Sequence, residues 1–94
     1  MELNIAFGQA LRDIRKQRGL TQEDFSDVSS RTYLSTLERG LKSPTIDKVS
    51  QLANVLSVHP VTLIVAAFLI QERSVTRRDL LQQIDTELEE LGIR

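Results

Sequence analysis

Apolar residues in this chain recur at helical spacing from end to end, and no stretch alternates apolar with polar side chains as a strand would. Phe7, Ala10, Leu11 and Ile14 form the core-facing stripe of a first helix. Arg15, Lys16 and Arg18 suit the negative end of its dipole, and Gly19 stops it. A second helix is expected after Thr21, where Thr21-Gln22-Glu23-Asp24 resembles a capping box with Asp24 in the place of Glu. Phe25 and Val28 are its apolar side. A third starts after Ser30, buries Leu34 and Leu37, presents Arg31, Thr32, Ser35, Thr36 and Arg39 outward, and ends at Gly40.

Thr45 is the expected N-cap of a fourth helix, with a stripe of Ile46, Val49, Leu52, Ala53 and Leu56. Pro60 fits the first turn of a fifth, with His59 as its cap. That fifth helix carries Leu63, Ile64, Val65, Phe68, Leu69 and Ile70 around its circumference, so it must be covered on more than one face. The sixth follows Thr76 and bears a heptad-like seam of Leu81, Ile84, Leu88 and Leu91 before Gly92. This seam packs either back on its own chain or across a dimer.

Ninety-four residues are the size of one domain, with one modest core and no room for a separate effector domain. The absence of cysteine excludes disulfides and thiolate metal sites, and the single histidine, His59, cannot make a metal site alone. With no phosphate-cradling glycine loop either, little is left for nucleophilic or metal chemistry, and neither an enzyme, a cofactor nor a small-molecule ligand is expected. The first residues do not read as a secretory signal, which fits a reducing cytoplasm. The apolar run from Val61 to Ile70 falls well short of the about 20 residues that span a bilayer, so no membrane partner is expected.

The net charge of −1 and pI of about 5.8 count weakly against nucleic acid as a partner. The distribution counts the other way. Arg12, Arg15, Lys16 and Arg18 face only Asp13; Arg31, Arg39 and Lys42 face only Glu38; the acids gather late, at Asp85, Glu87, Glu89 and Glu90. A locally basic face with an acidic tail helix can still attract phosphate, although an ordinary solvated surface has the same composition.

Two short capped helices in the middle of an all-helical chain suggest a helix-turn-helix. In that device the first helix points its N-terminus at a phosphate, and the second offers short or bidentate polar groups to base edges. Residues 21–39 meet both requirements. Residues 11–63 also resemble the Cro and lambda-repressor-like helix-turn-helix family, the xenobiotic-response-element (XRE) family. The resemblance lies in Leu11-Arg12-Asp13-Ile14-Arg15 and Arg18-Gly19-Leu20-Thr21-Gln22-Glu23-Asp24-Phe25, then Ser30-Arg31-Thr32-Tyr33-Leu34-Ser35 and Leu37-Glu38-Arg39-Gly40. Ser43-Pro44-Thr45 and Leu52-Ala53-Asn54-Val55-Leu56-Ser57-Val58 complete it.

The resemblance implies an all-α, five-helix lambda-repressor-like DNA-binding domain over residues 1–72, with an additional C-terminal helix over 73–94 for dimerisation or packing. Its partners would be double-stranded DNA and a second copy of the chain. Arg31, Thr32 and Thr36, with Ser35 close by, match base-reading positions. Gln22 matches a phosphate-binding glutamine, next to Thr21, and Arg39 and Lys42 match backbone-contacting positions. Tyr33 either touches a phosphate or packs on the domain edge. Arg15 and Glu38 match a structural ion pair, expected to be partly exposed and worth about 1 kcal/mol or less. Ile64, Phe68, Leu81, Ile84, Leu88 and Leu91 are the expected dimer contacts.

The chain departs from the family in the run Asp27-Val28-Ser29-Ser30, about two residues shorter than the usual turn and without its glycine, which predicts an early end to the second helix. Repressor of the phage type, restriction-modification controller and antitoxin-like regulator all remain open. So does a protein-interaction module that keeps the fold without specific DNA binding.

Overall fold

Polar side chains begin the helices where the sequence places them. In the computed structural model, which describes all 94 residues, α1 (Leu3–Gln17) is followed by a 3-10 helix (Gln22–Phe25) and α2 (Arg31–Glu38). Then come α3 (Ile46–Leu56), α4 (Pro60–Gln71) and α5 (Arg77–Glu90), with no strand. The Oγ of Ser30 accepts from Tyr33 N–H at 3.1 Å, Thr45 Oγ1 from Lys48 N–H at 3.0 Å, and Thr76 Oγ1 from Asp79 N–H at 3.1 Å. Each such cap is worth about 1 kcal/mol. His59 caps α4 through Nδ1, which accepts from Val61 N–H at 3.0 Å, just ahead of Pro60.

The second helix is shorter than its apolar spacing suggests. Only Gln22–Phe25 is helical, and in the tighter 3-10 form, with Ser26 N–H bonded to Glu23 O at 3.0 Å and Val28 N–H to Phe25 O at 3.0 Å. The short run before Ser30 leaves no room for the two or three α-turns that a longer connection would allow. The five-helix domain is therefore built from four α-helices and one 3-10 helix, with α5 added at the end.

Phe25, Leu11, Leu34, Leu37, Leu52, Leu56 and Leu63 are fully buried and form the centre of a single core. α1 runs along α4 and crosses α2, and α3 packs on α4. The α1–α2 crossing is close because Gly8 lacks a side chain: a Cβ there would lie 2.7 Å from the carbonyl oxygen of Glu38. Gly40 ends α2 at φ +73° and is pinned to α1 by the Asn4 Nδ2–H, which donates to its carbonyl at 2.5 Å.

The fourth α-helix packs on α1 and α3 but keeps an uncovered edge. Leu63 and Ala67 are buried, whereas Val61 and Phe68 are 51% and 42% exposed and Ile64 is half-buried. The expectation that more than one face is covered is thus met only in part within the chain. α5 does not supply the missing cover: it buries no residue and makes no extensive contact with another element. The seam is thus not packed extensively on its own chain, although Leu80 and Ile84 are half-buried. The projecting α5 accounts for a radius of gyration of 14.0 Å, above the roughly 12.4 Å of a compact chain of this size. Between α4 and α5, Ser74 donates from N and Oγ to Glu72 Oε1 at 3.2 and 2.9 Å, and these bonds hold the Glu72 carboxyl below the usual range. No single helix is long and apolar enough to cross a membrane, and the apolar α3 and α4 meet at 101°.

Candidate nucleic-acid interface

The placement of α2 follows from two leucines. Leu34 and Leu37 are fully buried, so the opposite face, two residues away from each in either direction, points to solvent. Arg31 and Thr32 are exposed at its first turn, and Ser35 and Thr36 are half-buried further along. The Thr36 hydroxyl donates to Thr32 O at 2.9 Å, which leaves its oxygen to act as an acceptor. The Arg31 guanidinium is held only by a contact of 3.5 Å to Glu23 Oε1, with both side chains more than 70% exposed. Such a contact is weak, so the fork is available to another acceptor.

Behind this face stands a buried polar cluster. Arg15 Nε donates to Glu38 Oε2 at 2.6 Å and its second terminal nitrogen to Glu38 Oε1 at 3.1 Å. The remaining terminal nitrogen donates to Leu20 O at 2.9 Å. The side chains of Arg15 and Glu38 are only 10% and 5% exposed. The expectation of a partly exposed pair is therefore corrected, because α1 and the end of α2 close over it. A bidentate pair screened from water holds its geometry far more firmly than a surface pair. Gln22 Nε2 donates to Glu38 Oε1 at 3.1 Å, which fixes the side chain at the start of the 3-10 helix and leaves its carbonyl and second N–H free.

Two adjoining depressions, both lined wholly by polar residues, share Arg15 and Gln22. One also involves Thr21, Glu23 and Arg31; the other Arg12, Lys16, Ser35, Glu38 and Arg39. Five of the sequence-predicted residues (Thr21, Gln22, Arg31, Ser35 and Arg39) thus converge on one surface. Thr21 is engaged locally, its N–H and hydroxyl both donating to Asp24 Oδ2 at 2.7 and 3.2 Å. Thr32 and Thr36 lie on the same helix face, while Lys42 is exposed beyond the end of α2. Tyr33 packs against the core, with Lys48 Nζ 5.8 Å from its ring centre.

Sequence reasoning missed three residues that shape this surface. Gly8 sets the closeness of α1 to α2, and Asn4 anchors Gly40. Lys48 reaches back from α3 to donate to the carbonyl of Val28 in the shortened turn. The signals were faint: a glycine inside a helix is the only one that spacing rules would flag.

The model of the helix-turn-helix family matches residues 11–63. Among curated relatives, the uncharacterized HTH-type transcriptional regulator y4dJ of Sinorhizobium fredii is 38% identical over 66 residues, 68% of this chain and 86% of its own. Control protein C.BamHI of Bacillus amyloliquefaciens is 32% identical over 65 residues, covering 66% and 80%. In structure, the chain is similar to the clp gene regulator ClgR of Corynebacterium glutamicum, with a TM-score of 0.69. That likeness in fold spans 100% of this chain and 98% of the other at 24% identity, so it includes α5.

Proposed function

Because the chain belongs to the XRE-type helix-turn-helix family of transcriptional regulators, we propose that it reads operator DNA in the major groove as a homodimer, acting as a repressor or autoregulator in the cytoplasm. Residues 1–72 are the DNA-binding unit, and residues 73–94 serve dimerisation. The observation that carries the reading is the convergence of Arg31, Ser35, Gln22 and Arg39 around two polar depressions beside a helix whose other face is buried.

In this reading the guanidinium of Arg31 addresses a guanine edge, and Thr32, Ser35 and Thr36 address its neighbours. Gln22, oriented by Glu38, and the exposed Arg39 and Lys42 hold phosphates; Thr21 and Tyr33 lie at the margins of the same contact. Arg12 and Lys16 add positive charge to the rim. The chemistry is recognition alone, without bond breaking.

One such helix reads only a few base pairs, so specificity in a genome favours two linked half-sites. The uncovered side of α4 at Ile64 and Phe68 and the seam of α5 at Leu81, Ile84, Leu88 and Leu91 are the surfaces for the second copy. Soluble monomers rarely leave so much apolar surface wet.

Selection of bound DNA from a random pool tests the function. The expected product is a pseudo-palindrome with half-site centres roughly 34 Å apart. A pool that stays random, with binding that vanishes at moderate salt, would instead mark a protein-interaction module on the same fold.

A further inference from the structure

α5 is divided in charge along its length. Its first turn carries Arg77 and Arg78, with Asp79 the one acid there, and its second half carries Asp85, Glu87, Glu89 and Glu90 with no basic residue before its end. Its apolar seam is largely uncovered: Leu81 is 46% exposed, Leu88 38% and Leu91 72%, while Leu80 and Ile84 are half-buried. Arg78, Asp85 and Glu89 stand at i, i+7 and i+11, on one flank of that seam.

Given the homodimer proposed above, we infer that α5 of one protomer lies antiparallel along α5 of its partner, seam to seam. In an antiparallel pair each flank faces the same flank running the other way, so Arg78 meets the partner's Asp85 and Glu89, twice over by symmetry. A parallel pair would bring the acidic halves of both helices together with no basic residue between them. Like charges set opposite one another count against that arrangement. The helix is the right kind of partner for itself: apolar along the seam and self-complementary only when reversed. It has 14 residues and so is about 21 Å long, and the register that sets Arg78 beside the partner's Asp85 and Glu89 also sets Leu81 of each helix against the partner's Ile84, with Leu88 and Leu91 beyond this central pair.

The orientation has a direct test by charge exchange in the full chain. Arg78→Glu and Glu89→Arg, both at exposed positions, are prepared separately and their self-association is measured by sedimentation at low salt. Each alone should dimerise about tenfold more weakly than the parent, and an equimolar mixture should recover dimers near the parent affinity, because both flanks are again complementary. A mixture no tighter than either variant overturns the antiparallel pairing while leaving a dimer intact. A parent chain that sediments as a monomer at micromolar concentration overturns the dimer itself. The chain has no cysteine, so spin labels on Asp79→Cys and Glu90→Cys provide a second measurement. A short distance is expected only between the two different sites, which lie about 16 Å apart along one helix. Short distances between identical sites at both ends would establish the parallel pair instead.

Discussion

Gln22 and Glu38, 16 residues apart in sequence, are joined by a hydrogen bond of 3.1 Å from the amide nitrogen to Oε1, the same oxygen that accepts from Arg15. One carboxylate therefore holds both the base of the fold at α1 and the side chain at the leading edge of the 3-10 helix. Fold stability and the proposed phosphate contact of Gln22 share a residue.

Glu38→Ala should remove a buried partner and leave the Arg15 guanidinium uncompensated. The expected loss is about 3 kcal/mol, read as a lower midpoint in urea. Arg15→Ala combined with Glu38→Ala should cost clearly less than the two single losses added. Strict additivity would show that the pair contributes nothing as a pair.

Gly8→Ala places a Cβ against the carbonyl oxygens of Leu37 and Glu38, which are backbone and cannot swing aside. The change gains helix propensity but forces α1 away from α2, for a net loss of about 1–3 kcal/mol. An unchanged or higher urea midpoint would show that the crossing has slack.

Arg31→Ala should cost about 1–3 kcal/mol of specific binding and relax the preference at one base pair. Glu23→Ala frees the same guanidinium from its weak contact and should leave that preference in place. A site preference unaltered by Arg31→Ala would remove the residue from base reading.

Lys42→Ala should weaken specific and non-specific binding alike and lower the salt slope by about one. The measurement is a salt titration of binding to an operator and to mixed genomic DNA. Loss confined to a single operator variant would place Lys42 on a base rather than on a phosphate.

Ile84→Glu puts a charge in the middle of the α5 seam and should shift sedimentation toward the monomer at micromolar concentration. A fully dimeric variant would move the interface to the exposed side of α4 at Phe68.

Much of this architecture was legible in the sequence because its signals are local. Ser30, Thr45 and Thr76 are N-caps within hydrogen-bond reach of the third residue after them, and the stripe from Phe7 to Ile14 needs only the helical period. The short run from Asp27 to Ser30 likewise foretold an early end to the second helix. What escaped depends on how elements approach one another. The Arg15–Glu38 pair is legible as a pair, but its burial depends on the α1–α2 crossing angle, which Gly8 sets. Lys48 acts on the turn from 20 residues away, and no spacing rule links it to Val28.

The fully buried Phe25 sits at the end of the 3-10 helix, and Leu34 enters the same core from α2. Those two pegs fix both flanking elements, while the stretch between them is held by local bonds, the tie to Lys48 and the half-buried Val28 against the core. The connection is thus a strap between two nails, pinned once at its middle by Val28. A turn shorter than the family norm therefore still leaves α2 seated in the core through Leu34. An inserted residue would bulge outward into solvent, and the nails would stay where they are.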